Sequence, residues 1–263
     1  MLHTALRNST WLFAAAACVL WLGGGLSAAA ETPPNHTTVA PLLIGAEDNW
    51  APFSSADNGQ PTGMAVDLVR AIFTEAGIPI QLVSVPYARC MIETKAGRLA
   101  GCFDTLPDAQ MRRDYLFHAK PLFSDTLLIL ARADSTESQL RERDLENKVV
   151  LITHGYSYGD AFESNSRIKR MKSVADLNVL RMLARSRGDF AVVYQRILAY
   201  QLRGSAKELT GQLKAVGRLE DAHLFLSFSR AWPHIDTTIE RFNAAHDRLL
   251  RSGRIAKIQK QWD

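Results

Sequence analysis

Long apolar runs are almost missing from this chain of 263 residues. There is one, Trp11 to Leu26, with Arg7 ahead of it and Ser27-Ala28-Ala29-Ala30 behind it. A basic start, a short apolar stretch and a small-residue exit form the pattern of a secretory signal peptide, and cleavage is expected near Ala30. The run is short for a membrane span and is broken by Gly23-Gly24-Gly25. With no second long run after it, a soluble, exported mature chain is expected. Cys18 sits inside the run, which continues through Val19, Leu20 and Trp21, so a lipid-bearing cysteine is not expected.

Cysteine is scarce as well. Of three in the chain, only Cys90 and Cys102 lie beyond the leader. In an oxidising compartment they suit a disulfide that closes a short loop, worth roughly 3 kcal/mol. They suit two buried thiols nearly as well, and the sequence leaves both open. No Cys/His spacing fits zinc and the seven histidines are dispersed, so neither a metal nor a cofactor is expected. No Ser/His/Asp or Cys/His grouping marks a nucleophile. A basic stripe is missing too: 31 Lys and Arg stand among 27 Asp and Glu, a formal charge of +4, scattered rather than gathered with aromatics. Nucleic acid is therefore not an expected partner.

What remains after the leader is about 230 residues, enough for two modest lobes with real cores. Residues 31–40 are polar with paired prolines and read as a flexible leader. Leu42-Leu43-Ile44-Gly45 then reads as a strand, followed by a loop with Trp50 and Phe53 beside Glu47 and Asp48. Aromatics at a strand end suit the wall of a small-molecule site, and suit a lobe core equally. Ala65, Leu68, Val69, Ile72, Phe73 and Ala76 recur at helical spacing, with Gly77 as the stop. Ile78 to Val85 alternates as a strand, and Pro86 opens a helix that ends at Gly97. Alternating strands and helices predict a parallel sheet flanked by helices.

Gly97 to Pro121 concentrates the chemistry. Ala100 to Thr105 suits a buried strand, and Leu106-Pro107-Asp108 predicts a helix start with proline at the first helical position. A strand end beside a helix N-terminus suits an anion, which Arg112 or Arg113 would close upon. Both arginines also suit a solvated face. A second α/β unit begins at Lys148 to Thr153, followed by the loop His154 to Gly159. Ser173-Val174-Ala175-Asp176 has a capping-box pattern with Asp at its last position. Asp189 to Tyr194 and His223 to Ser229 read as strands, the latter as a return crossing. Two helices close the chain, on either side of Gly253.

Taken together, IGAEDNWAPF, GMAVDLVRAIF, VPYARCMIETKAGRLAG, the Arg112 segment with Ala119-Lys120-Pro121, VVLITHGYSYGD, RGDFAVVY and LLRSGRIAKIQKQW resemble extracellular solute-binding proteins of family 3. These are the periplasmic polar amino-acid receptors of ABC importers. The resemblance implies a two-lobed periplasmic-binding-protein fold of type II. Each lobe would be a mostly parallel sheet flanked by helices, joined to the other by two crossing hinge strands. Lobe I is expected over 41–131 and 223–263, and lobe II over 132–222, after a signal peptide at 1–30. The implied function is a monomeric periplasmic receptor, not an enzyme, that clamps a carboxylate-bearing small ligand and delivers it to an ABC permease.

By position, the resemblance implies Trp50 and Tyr87 as aromatic walls and Arg112 as the carboxylate clamp. Glu47, Asp104, Thr105, Thr153 and Ser157 fall on its polar positions. Where the family carries a carboxylate for the ligand's ammonium group, this chain has Tyr194, and a small hydroxyl position is Pro107. An ordinary amino acid is thereby put in doubt. Two alternatives use the same fold. One is a dehydratase-like enzyme with Glu47 or Asp104 as proton donor; the other is an orphan or sensory binding module.

Overall fold

The computed structural model describes residues 40–262. The expected signal peptide, and the leader up to residue 39, lie outside them. The chain opens on β1 (Leu42–Glu47), whose last four residues are buried, and turns through three short strands, β2 (Asn49–Trp50), β3 (Ser54–Asp57) and β4 (Gln60–Thr62). These form a small antiparallel sheet of their own. Helix α1 (Met64–Glu75) follows, with Met64, Ala65, Leu68, Val69, Ile72 and Phe73 buried along one face, as the spacing predicts. It ends with Gly77 in the left-handed region at φ 64°, where glycine carries no steric cost. Strand β5 (Ile80–Val85), helix α2 (Tyr87–Lys95) and strand β6 (Gly101–Thr105) complete a parallel set in which β1 lies between β5 and β6.

The helix start after β6 differs from the expectation. Helix α3 (Ala109–Asp114) begins two residues later, with Pro107 outside it and Asp108 as the N-cap, accepting from the Met111 amide at 2.7 Å. The carboxylate of Asp108 caps more effectively there than a proline begins a turn. Strand β7 (Tyr115–Phe117) and the ten-residue β8 (Phe123–Arg132) come next.

The second parallel set is β9 (Val149–Thr153), helix α4 (Asp160–Ser164), β10 (Lys169–Ser173), helix α5 (Asp176–Ala184) and β11 (Phe190–Tyr194), with β9 between β10 and β11. Ser173, expected to cap α5, instead ends β10, and the N-cap is Ala175 with no side-chain bond. Asp176 turns away from the helix amides to accept from the Thr153 hydroxyl at 2.6 Å. Helix α6 (Gln195–Arg203) leads into β12 (Leu213–Ser229), and helices α7 (Ile235–Arg251) and α8 (Arg254–Lys260) close the chain.

Strands β8 and β12 join the two sets. They pair antiparallel from Leu213↔Arg132 to Leu224↔Phe123. On one side β8 pairs β11 from Leu127 onward, and on the other the last residues of β12 pair β6 and β7. The strand order is β10-β9-β11-β8-β12-β6-β1-β5. Two α/β lobes therefore share a pair of crossing strands. β12 begins ten residues earlier than the return crossing expected from His223. Its first half is irregular, with register shifts after Ala215 and Arg218, which hid the two-residue period. At Gly217 the backbone of Leu140 approaches so closely that an added Cβ would stand 2.2 Å from its carbonyl oxygen. Glycine is required at that crossing.

Candidate functional site

The space between the lobes is built from chain ends of parallel strands. Glu47 ends β1, Asp104 sits one residue from the end of β6, and Tyr87 opens α2 directly after β5. From the other lobe come Tyr156 and Ser157, in the loop after β9, and Tyr194, the last residue of β11. Strand ends are where parallel sheets leave room for a ligand. With Trp50 and Leu106 these residues enclose a space of only ≈ 10 Å³, about one water site.

Aromatic rings form the walls. Trp50 meets Tyr194 edge-on at 5.0 Å between centroids and Tyr156 at 5.8 Å, while Tyr87 meets Tyr156 at 5.7 Å. Edge contacts of this kind satisfy the ring quadrupoles and fix the rings' orientation. The lobes also meet through polar groups. The Tyr156 hydroxyl donates to Glu47, the Ser157 hydroxyl donates to Asp108 at 2.8 Å, and the Ala109 amide donates to Asp160 at 2.8 Å. The start of α3, expected to receive a ligand's anion, thus already receives two carboxylates of the protein.

The electrostatics are one-sided. Among the described residues no lysine, arginine or histidine lines the enclosed space. Glu47 is buried, and burial pushes its carboxyl well above the usual range, with Asp104, Asp176 and Asp48 adding repulsion and the Tyr156 hydrogen bond opposing. Burial raises Asp104 as well. Among the described residues neither carboxylate oxygen of Asp104 has a hydrogen-bond partner, and its backbone lies in the left-handed region at φ 69°. Such strain persists where the surrounding structure dictates the conformation, commonly at functional sites. Asp176, behind Thr153, is pushed by burial up to about 6, against its hydrogen bond from Thr153.

The residues singled out in the sequence divide into three groups. Glu47, Trp50, Tyr87, Asp104, Ser157 and Tyr194 are brought together around the enclosed space. Thr105 and Thr153 stand behind it: the Thr105 hydroxyl accepts from Tyr87 at 3.1 Å and lies 3.1 Å from Ser227, and Thr153 is engaged with Asp176. Arg112 stands apart. It is exposed on α3 and lines a larger cavity of ≈ 1090 Å³, with Pro107, Gly159 and Arg218 among its neighbours. Cys90 and Cys102 are joined in a disulfide, Cα to Cα 5.9 Å, that ties α2 to β6. Sequence reasoning missed Tyr156 and Asp176. Tyr156 was visible in the GYSYGD loop as an aromatic at a strand end, whereas Asp176 was obscured by its fit to a cap.

Two α/β lobes, two crossing strands and a walled space between strand ends define a periplasmic binding protein of type II. The chain belongs to the bacterial extracellular solute-binding proteins, family 3, whose model matches residues 42–263. It is 22% identical over 232 residues to the probable amino-acid-binding protein YxeM of Bacillus subtilis (strain 168), covering 84% of this chain and 83% of that one. Among solved structures it resembles a histidine kinase sensor domain with similarity to periplasmic binding proteins, at TM-score 0.73 and 22% identity, covering 84% of this chain and 95% of that one. It also resembles the arginine-, lysine-, histidine-binding protein ArtJ of Geobacillus stearothermophilus, at TM-score 0.70 and 16% identity, covering 85% and 95%. At these identities the structural likeness establishes the fold.

Proposed function

We propose that the protein is a periplasmic receptor that grips a small polar solute between its lobes and hands it, as a monomer, to the permease of an ABC importer. The observation that carries this reading is the convergence of Glu47, Trp50, Tyr87 and Asp104 from one lobe with Tyr156, Ser157 and Tyr194 from the other. A space shared in this way is emptied by hinge opening and sealed by closure, the usual motion of two lobes on crossing strands. The carboxylate expected on the solute finds no cationic side chain around that space among the described residues, and Arg112 would have to reach it from the neighbouring cavity.

The test is equilibrium dialysis of the purified protein against a mixed metabolite pool, with mass spectrometry of what is retained. A receptor retains a solute unmodified and is stabilised by it, by about 2.7 kcal/mol when the solute is at a hundred times its Kd. Retention of nothing from the pool overturns the reading. Recovery of a solute that has lost water favours the dehydratase-like alternative, for which Glu47 and Asp104 are the buried acids. A sensory role is favoured by the likeness to the kinase sensor domain. Co-purification with a permease rather than a membrane kinase separates the two.

A further inference from the structure

The enclosed space carries a chemical signature that the family's amino-acid ligands do not match. Asp104 is 6% exposed and neither of its carboxylate oxygens has a partner among the described residues. A buried carboxyl left this way is costly when charged, and a water or a ligand from outside the chain would complete it. Glu47 faces the same space, and its carboxylate accepts one hydrogen bond among the described residues, from Tyr156. Trp50, Tyr87, Tyr156 and Tyr194 supply the remaining walls, and aromatic faces attract cations. A ligand carboxylate would add a third negative group where, among the described residues, no arginine, lysine or histidine lines the space to meet it.

We propose that the solute is a small organic cation without a carboxylate, an amine, guanidine or quaternary ammonium compound, whose charged head lies between Asp104 and Glu47 within the aromatic walls. This rests on the receptor reading above. The Trp50 Nε1 donor, also without a partner among the described residues, is satisfied by a neutral oxygen on such a solute where it has one. Burial holds both carboxyls above their ordinary range, so each gains from a cation beside it.

The experiment uses matched pairs that differ by one carboxylate: agmatine and arginine, cadaverine and lysine, choline and betaine. Binding to the purified protein is measured by calorimetry, then repeated for Asp104→Asn and Glu47→Gln. Asparagine suits the positive φ at position 104 and keeps the shape of the side chain, so that variant folds. The expected result is at least tenfold tighter binding of one amine than of its carboxylated partner, with at least a tenfold loss in D104N. A carboxylated partner that binds as tightly as its amine overturns the cation assignment and leaves the receptor reading intact. So does amine binding that changes less than twofold in both variants. No binding by any member of the three pairs also overturns it, and the receptor reading then stands or falls on the dialysis alone.

Discussion

Asp104 concentrates the tension between fold and site in one side chain. Its folded-state carboxyl is raised by burial above the unfolded value of 3.8. The stability it contributes is therefore present below that value and is lost as pH rises through the raised one. Asp104→Asn removes the titration. Without solute, the variant is expected to melt higher than the parent at pH 8 and level with it near pH 4, at about 2–4 °C per kcal/mol for a chain of this size. His118 has the opposite sign. Buried, with its Nε2 accepting from the Leu226 amide at 2.9 Å, it is lowered by burial to about 3. Its contribution is present above about 6.5 and is lost as pH falls through the acid range. His118→Gln is expected to flatten that acid-side loss, at a cost of about 1–3 kcal/mol at pH 7 for the altered hydrogen bond. Urea titrations at several pH values check both.

At the scale of elements, what was legible in the sequence is what obeys a period. The α1 stripe and β6 are where spacing and apolar run put them, because one face of each packs against a core and excludes polar substitutes. The polar β10 and the first half of β12 were not legible, since edge position and bulges free their side chains from alternation. The site follows the same division. Of the residues around the enclosed space, Trp50 was read from its place after β1, and Glu47 and Asp104 through the family resemblance, while the isolation of Arg112 follows from tertiary placement that no local pattern records. Two consequences are measurable. Gly217→Ala is expected to cost about 1–3 kcal/mol, because the Cβ would strike the backbone of Leu140 rather than a movable side chain. Replacing Cys90 and Cys102 together by serine opens a bridge of sequence separation 12 and is expected to cost about 3 kcal/mol in urea unfolding.

Across the whole molecule, the lobes are held together by the crossing strands β8 and β12, by ring contacts of Trp50 and Tyr87 with Tyr156 and Tyr194, and by a few polar contacts. The polar contacts of Ser157 with Asp108 and of Tyr156 with Glu47 use three groups, Ser157, Tyr156 and Glu47, that line the enclosed space. Breaking them shifts the balance toward an open form rather than unfolding either lobe, since each lobe keeps its own sheet. The double variant Ser157→Ala, Tyr156→Phe is expected to show a larger radius of gyration by solution scattering than the parent, with an unfolding free energy lower by only about 1 kcal/mol per hydrogen bond removed.

The disulfide has a further consequence. Tyr87 stands three residues before Cys90, and Asp104 two residues after Cys102. The bridge therefore braces the back of one jaw, between a ring that walls the space and an acid that faces it. Protein matured in a reducing cytoplasm would keep its overall sheet but lose that brace between Tyr87 and Asp104. Where the chain is made, and not its sequence alone, would then set how firmly the two sides of that jaw are held to each other.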